Sequence, residues 1–329
     1  MKPGSMPSLS RRNFLAAAGA MPLLALTGIP PVLADEATEL SSITSKAKPI
    51  DEAERKARIA RAQTLMAGHG IGAVLIEPGS SLLYFTAVNW WRSERLTCAV
   101  LPVEGEPCLV TPFFEEPSVR ESLGVPAEVR VWQEHEDPVD VVAGFLREKK
   151  LLERPIGIEE TVRYFVVDGL RKVLPHARLV SANPVVRGCR MRKSAAEIAL
   201  MQCASDVTVA AYRWVYPRIE AGMGPQDIGE LMSNATQKLG GGEGFNLILL
   251  GEASAYPHGS GKPQKVVPGE VVLMDCGCNV HGYQSDISRS FVFGGKPTDE
   301  QRKVWNEVHK GQQIAFAAAK PGVPAGEVD

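Results

Sequence analysis

Two aspartates, Asp275 and Asp286, sit in the segment VVLMDCGCNVHGYQSDISRSFVF that spans residues 271–293. Four apolar residues, Val271 to Met274, run into Asp275, and Ile287, Phe291, Val292 and Phe293 follow Asp286. Between them Asn279-Val280-His281-Gly282 is turn material with a glycine free to take positive φ, so the segment reads as a β-hairpin. A turn centred on Val280 and His281 makes the two aspartates directly opposed on one face, with Cβ atoms roughly 5 Å apart. Carboxylates so placed repel unless a proton or cation lies between them. Hard oxygen ligands at that separation suit a bridged pair of divalent ions about 3.5–4 Å apart. A one-residue slip in register sends the carboxylates to opposite faces and removes the site. The competing reading makes each Asp an ordinary turn residue. Against it, Asp275 ends a run that reads as a buried strand, where Asp is depleted.

The elements that must hold this hairpin fall into two groups. Periodicity predicts a helix from Asp51 to about Gly68, then strands at 73–76, 82–86, 96–102, 107–111 and 128–132. A helix at about 138–150, a strand at 156–159, a helix at 162–174 and a strand at 178–181 complete an α/β domain over residues 51–182. A second unit, 183–329, opens with the capping box Ser194-Ala195-Ala196-Glu197 and a long helix to about Tyr216. An amphipathic helix from Pro225 to Gly240, a strand at 245–250, the hairpin and a helix capped by Thr298 follow. The run Gly240-Gly241-Gly242-Glu243-Gly244 follows a helix, not a strand, so it is read as a flexible loop and not a dinucleotide site.

His258, in the loop Tyr256-Pro257-His258-Gly259, is a candidate proton donor if it comes near the hairpin, and a solvated loop residue otherwise. Trp90-Trp91-Arg92-Ser93-Glu94-Arg95 is either core tryptophans with a surface ion pair or a substrate-facing wall, with Trp91 and Arg92 the candidate contacts. Gly259-Ser260-Gly261-Lys262 lacks the spacing of a phosphate loop. No Gly-x-Ser-x-Gly elbow or Cys/His signature supports a nucleophilic hydrolase. Cys276 and Cys278 point to the face opposite Asp275 and read as small apolar groups, with no second pair to complete a zinc site.

With a formal net charge of −2, the chain has no basic excess that would argue for nucleic acid. Ser10-Arg11-Arg12-Asn13-Phe14-Leu15 is a twin-arginine pattern before an apolar stretch, so residues 1–34 read as an export signal and 35–50 as a linker. Pro22, Pro30 and Pro31 interrupt the stretch, which argues against a stable membrane anchor after cleavage. The expected location is periplasmic or secreted.

Several of these segments together resemble the pita-bread metallopeptidase superfamily, which includes Xaa-Pro aminopeptidases, prolidases, methionine aminopeptidases and creatinase. The resemblance rests on Arg192-Lys193-Ser194 with Glu197-Ile198, on Pro257-His258-Gly259, and on Asp275-Cys276-Gly277 through Gly282-Tyr283-Gln284-Ser285-Asp286-Ile287-Ser288-Arg289-Ser290-Phe291. It implies a mixed α/β (α+β) fold, with a creatinase-type N-terminal domain before an incomplete pita-bread catalytic domain. It implies two divalent ions, manganese before cobalt or zinc, with Asp275 binding the first and Asp286 bridging both. His258 would assist proton transfer on a proline-containing peptide, and Trp91 and Arg92 would line the cleft of a homodimer partner. The family completes its site with a later His and two Glu. Here His309, Glu300, Glu307 and Glu327 do not match those positions, so the sequence reads as a fragment or a naturally shortened relative. The same fold also admits a creatinase- or ectoine hydrolase-like enzyme, or an inactive binding protein.

Overall fold

The computed structural model describes residues 39–329, so the export signal expected over 1–34 lies outside the described residues. Helix α1 (Glu52–His69) starts where the Asp51 side chain accepts the Glu54 N–H and stops at Gly70 in the left-handed region. It precedes β1 (Ala73–Ile76), α2 (Ser80–Thr86), β2 (Cys98–Pro102), β3 (Cys108–Pro112), α3 (Glu116–Ser122) and β4 (Glu128–Trp132). Helix α4 (Pro138–Glu148), β5 (Ile156–Ile158), α5 (Tyr164–Val173) and β6 (Leu179–Ser181) follow. The six strands form one mixed sheet in the order β4-β3-β2-β1-β5-β6. Every residue of β1 is buried, because helices cover both faces. Val74 and Ile76 pack with α1 and α2, whereas Ala73 and Leu75 pack with α4 and α5.

Leu82–Thr86, expected as a strand, is the helix α2. A short apolar run does not by itself distinguish the two states. The deciding contacts come from α1, whose Arg55 donates to the carbonyls of Leu83 and Tyr84 at 2.6 and 3.3 Å, and whose Arg58 donates to that of Tyr84 at 3.1 Å. These guanidinium groups satisfy carbonyls at the C-terminal end of a helix too short to stand on propensity alone.

Helix α6 (Asn183–Arg190) buries Val185, Val186 and Cys189 in the same core as α1. The capping box at Ser194 is present and opens α7 (Ala195–Val215), followed by α8 (Pro225–Lys238). Strands β7 (Gly242–Leu250), β8 (Val271–Val280) and β10 (Ile287–Val292) form a second sheet ordered β10-β8-β7, with the short β9 (Tyr283–Gln284) paired to β8. On β8, Val272, Met274, Cys276, Cys278 and Val280 are buried against α7 and α8, as the alternation of the sequence demands. Leu40, Ala47 and Ile50, in the segment read as a linker, pack on this second core. Helix α9 (Asp299–Ala318) buries none of its residues. Among the described residues no helix is long and apolar enough to cross a membrane.

The glycine run is more ordered than a flexible loop. Gly242 and Gly244 lie in β7, where the pairing with β8 is irregular, and a Cβ on Gly244 would meet the Gly277 carbonyl oxygen at 1.9 Å. The glycine there serves close approach of two strands.

Candidate metal centre

The hairpin turns at His281 and Gly282, with φ of 49° and 89°, and the Asn279 side chain accepts the Gly282 N–H at 2.9 Å. Two successive residues with positive φ match the right-handed twist of the strands. Val280 therefore pairs with Tyr283, and Asp275 lies directly opposite Ser288. The direct opposition expected of Asp275 and Asp286 is corrected: the chain turns one residue later than assumed, which moves every partner by two positions. A shift of two keeps the face. Asp286 is thus a diagonal neighbour of Asp275 on the same side, and Cα atoms in that relation lie about 7–8 Å apart.

The two carboxylates still meet. Asp286 is exposed, yet partial desolvation, then the charge and side-chain approach of Asp275, raise its carboxyl above the ordinary aspartate range. Asp275, half-buried, accepts the Ser288 hydroxyl at 2.7 Å. The Tyr212 hydroxyl, reaching up from α7, lies 2.9 Å from the Met274 carbonyl and 2.7 Å from that of Ile287, and so ties β8 to β10 beside Asp275. The Cys276 thiol faces the other way, into the core, and burial pushes it up to about 11. A thiol buried on that face points away from any ion held between the two aspartates.

The pair has the donor chemistry of a hard-cation site: two carboxylates on one sheet face, held close at an electrostatic cost that a divalent ion would remove. Among the described residues no third His, Cys, Asp or Glu joins them, so they supply part of a coordination sphere. Glu300, Glu307 and His309 lie on α9, and Glu327 lies in a single 3₁₀ turn.

A raised carboxyl pKa fixes the sign of a pH effect. The native state binds the Asp286 proton more tightly than the unfolded chain does, so stability rises as pH falls through the raised value and the gain is complete below the ordinary aspartate range. Asp286→Asn is expected to raise stability at neutral pH in EDTA and to flatten this dependence. Urea denaturation at pH 7 and pH 4 measures it, and a loss of stability at pH 7 would show that the pair is not strained.

His258 is exposed on its loop, and no hydrogen bond joins it to either aspartate. The loop does approach the site: a Cβ on Gly259 would lie 3.6 Å from Leu247, the residue of β7 directly opposite Asp275. Leu247, Gly259, Ser260 and Lys262 line an open groove of about 710 Å³ between α8, β7 and this loop. Trp91 is 66% exposed and stacks on Trp90, with ring centroids 5.1 Å apart. Arg92 is fastened within the first domain, donating to the Pro78 carbonyl at 3.0 Å and to the Thr161 hydroxyl. Neither contacts the aspartates among the described residues.

Sequence reasoning did not single out the polar side chains that grip the hairpin. Tyr283 is held by Arg58 of α1 at 3.0 Å and by Glu197 of α7, whose carboxylate accepts its hydroxyl at 3.0 Å. Ser285 and Thr208, both buried, share a hydrogen bond of 2.8 Å. The available signal was a threonine on the apolar stripe of α7 that runs through Ala204, Val207, Ala211 and Val215.

Residues 58–192 match the Creatinase/Prolidase N-terminal domain, and residues 199–329 match metallopeptidase family M24. Over 259 residues the chain is 32% identical to an uncharacterized peptidase of Schizosaccharomyces pombe, covering 74% of this chain and spanning 56% of that protein's length. It is 25% identical over 265 residues to a Xaa-Pro dipeptidase of Pyrococcus horikoshii, covering 79% of this chain and 71% of the relative. A solved prolidase from Thermococcus sibiricus matches with a TM-score of 0.76 at 26% identity, over 86% of this chain and 76% of that one. The chain therefore has the mixed α/β architecture of the prolidases, with one segment similar to the Creatinase/Prolidase N-terminal domain and a following segment similar to metallopeptidase family M24.

Proposed function

We propose that the protein is a metal-dependent peptidase acting on Xaa-Pro bonds, exported by the twin-arginine route and working as a homodimer. The carrying observation is the aspartate pair brought together on one face of the hairpin, inside the segment that matches a metallopeptidase family. The Xaa-Pro preference draws on relatives named as Xaa-Pro dipeptidase and prolidase. Asp275 and Asp286 would hold divalent ions, manganese first, with cobalt or zinc as alternatives. Such ions, when bound, supply an activated water and polarise the scissile carbonyl. His258, on the loop beside Leu247, would donate to the substrate carbonyl or leaving group, and Trp91 with Arg92 would line a partner's cleft.

The test uses the chain freed of metal with EDTA and titrated with Mn²⁺. Binding to the native state raises the unfolding free energy by about 2.7 kcal/mol when the ion is at roughly 100 times its Kd. A thermal shift that is present in the parent and absent in Asp275→Asn and Asp286→Asn is the expected result. With two carboxylates as the assembled donors, the Kd for this chain should be weak. An Mn²⁺ response indifferent to both substitutions would sink the metal assignment. Proline release from Xaa-Pro dipeptides, against Xaa-Ala controls, tests the specificity separately.

A further inference from the structure

Asp286 stands at the one interruption of the β8 ladder between β9 and β10, where residues 285 and 286 belong to neither strand. In a regular antiparallel ladder, residues 278 and 285 would exchange two backbone hydrogen bonds. Only one is made: the Ser285 N–H donates to the Cys278 carbonyl at 3.0 Å. The Cys278 N–H donates to the Ser285 hydroxyl instead, also at 3.0 Å. A side chain has thus replaced a backbone carbonyl in the ladder. The displaced carbonyl passes over Gly277, so close that a Cβ on that residue would lie 2.0 Å from its oxygen. Register is kept through the interruption, since Ile287 pairs with Cys276 just beyond it. What changes is the orientation of the peptide that enters Asp286.

The Ser285 hydroxyl is itself anchored. It lies 2.8 Å from the Thr208 hydroxyl, which is 1% exposed and belongs to the long helix α7. Two hydroxyls in an apolar core cost free energy unless their hydrogen bonds are made, and an alanine and a valine would fill the same space without that demand. Here both are satisfied, and the bonds they make are those that bend the chain before Asp286. We propose that Ser285 and Thr208 are positioning residues for Asp286: the hydroxyl pair takes the Cys278 N–H out of the strand ladder and turns the Asp286 carboxylate toward Asp275. This rests on the metal-site reading for its purpose, but its geometry can be tested without metal.

The experiment is a double-mutant cycle in EDTA, read by urea denaturation, between Asp286→Asn and each of Ser285→Ala, Thr208→Val and Thr208→Ser. Thr208→Val keeps the shape and loses the hydroxyl, and Thr208→Ser does the opposite. Expected is a stabilising increment of Asp286→Asn in the parent and in Thr208→Ser that shrinks in Ser285→Ala and Thr208→Val. In parallel, Mn²⁺ affinity should fall roughly 10–100-fold in the two hydroxyl-deletion variants and hold in Thr208→Ser. An increment of Asp286→Asn that is the same in all backgrounds, with stability alone reduced, would overturn the proposal and leave the pair a core hydrogen bond. Should Ser285→Ala fail to fold, the two Thr208 variants decide. A parent that ignores Mn²⁺ would defeat the metal assignment, and the cycle would still decide the positioning.

Discussion

Arg58→Met is expected to lower the unfolding free energy by about 3–5 kcal/mol, the range for removing one partner of a buried ion pair. The Arg58 side chain is 5% exposed, and its guanidinium lies 2.7 Å from Glu54 and 3.6 Å from Glu197. Glu54 is the nearer partner, but at 25% side-chain exposure it can return to water. Glu197, with 4% side-chain exposure, cannot, so it sets the cost. Without Arg58 its carboxylate keeps the Ser194 N–H at 2.8 Å and the Tyr283 hydroxyl at 3.0 Å, and no countercharge. The substitution also removes the stacking of Arg58 over Tyr84, 4.1 Å from the ring centroid, and a carbonyl cap on α2. Arg58→Met with Glu197→Gln should recover much of the loss, since the buried carboxylate that lost its partner is then neutral. Urea denaturation of the two single variants and the double provides the coupling. A loss below about 1 kcal/mol for Arg58→Met would mean that water reaches Glu197. Because α1 and β9 are joined through this cluster, the same variant should loosen the hairpin tip, visible as faster amide exchange at Tyr283.

Gly277→Ala should cost about 3 kcal/mol, at the upper end of overpacking. The new methyl would lie 2.0 Å from the Ser285 carbonyl oxygen and 2.7 Å from the Phe245 ring. The ring is 37% exposed and can swing aside. The carbonyl is backbone, in a residue whose own N–H is committed to Cys278 at 3.0 Å, and it must move with the peptide that carries Asp286. Stability and Mn²⁺ response should therefore fall together. Gly261→Ala, with no atom within 4 Å of its new methyl, is the control and should stay within about 0.5 kcal/mol. If Gly277→Ala behaves like the control, the approach of Ser285 to Gly277 is not a fixed feature of the hairpin.

Much of the architecture was legible because it rests on local rules. Asp51 and Gly70 bound α1 by capping, and Ser194 with Glu197 opens α7 by a capping box. The alternation from Val272 to Val280 put Cys276 and Cys278 in the core and Asp275 on the other face, which is how the structure has them. The face shared by the two aspartates was readable for the same reason: strand periodicity is two, and the error in register was also two. The exact partner depends on whether Val280-His281 or His281-Gly282 takes the two left-handed positions, and the structure uses the second pair, which spares the β-branched Val280 and places a glycine there.

The sequence by itself determined the α/β class, the long helices and the presence of two carboxylates on one sheet face, since caps and periodicity act between residues near one another in the chain. Only the tertiary structure decided that Leu82–Thr86 is helical, that Arg58 and Glu197 grip Tyr283, and that Ser285 leaves the ladder for Thr208. Each of these depends on a hydrogen bond to a partner more than twenty residues away, and distance along the chain erases the local pattern that would announce it.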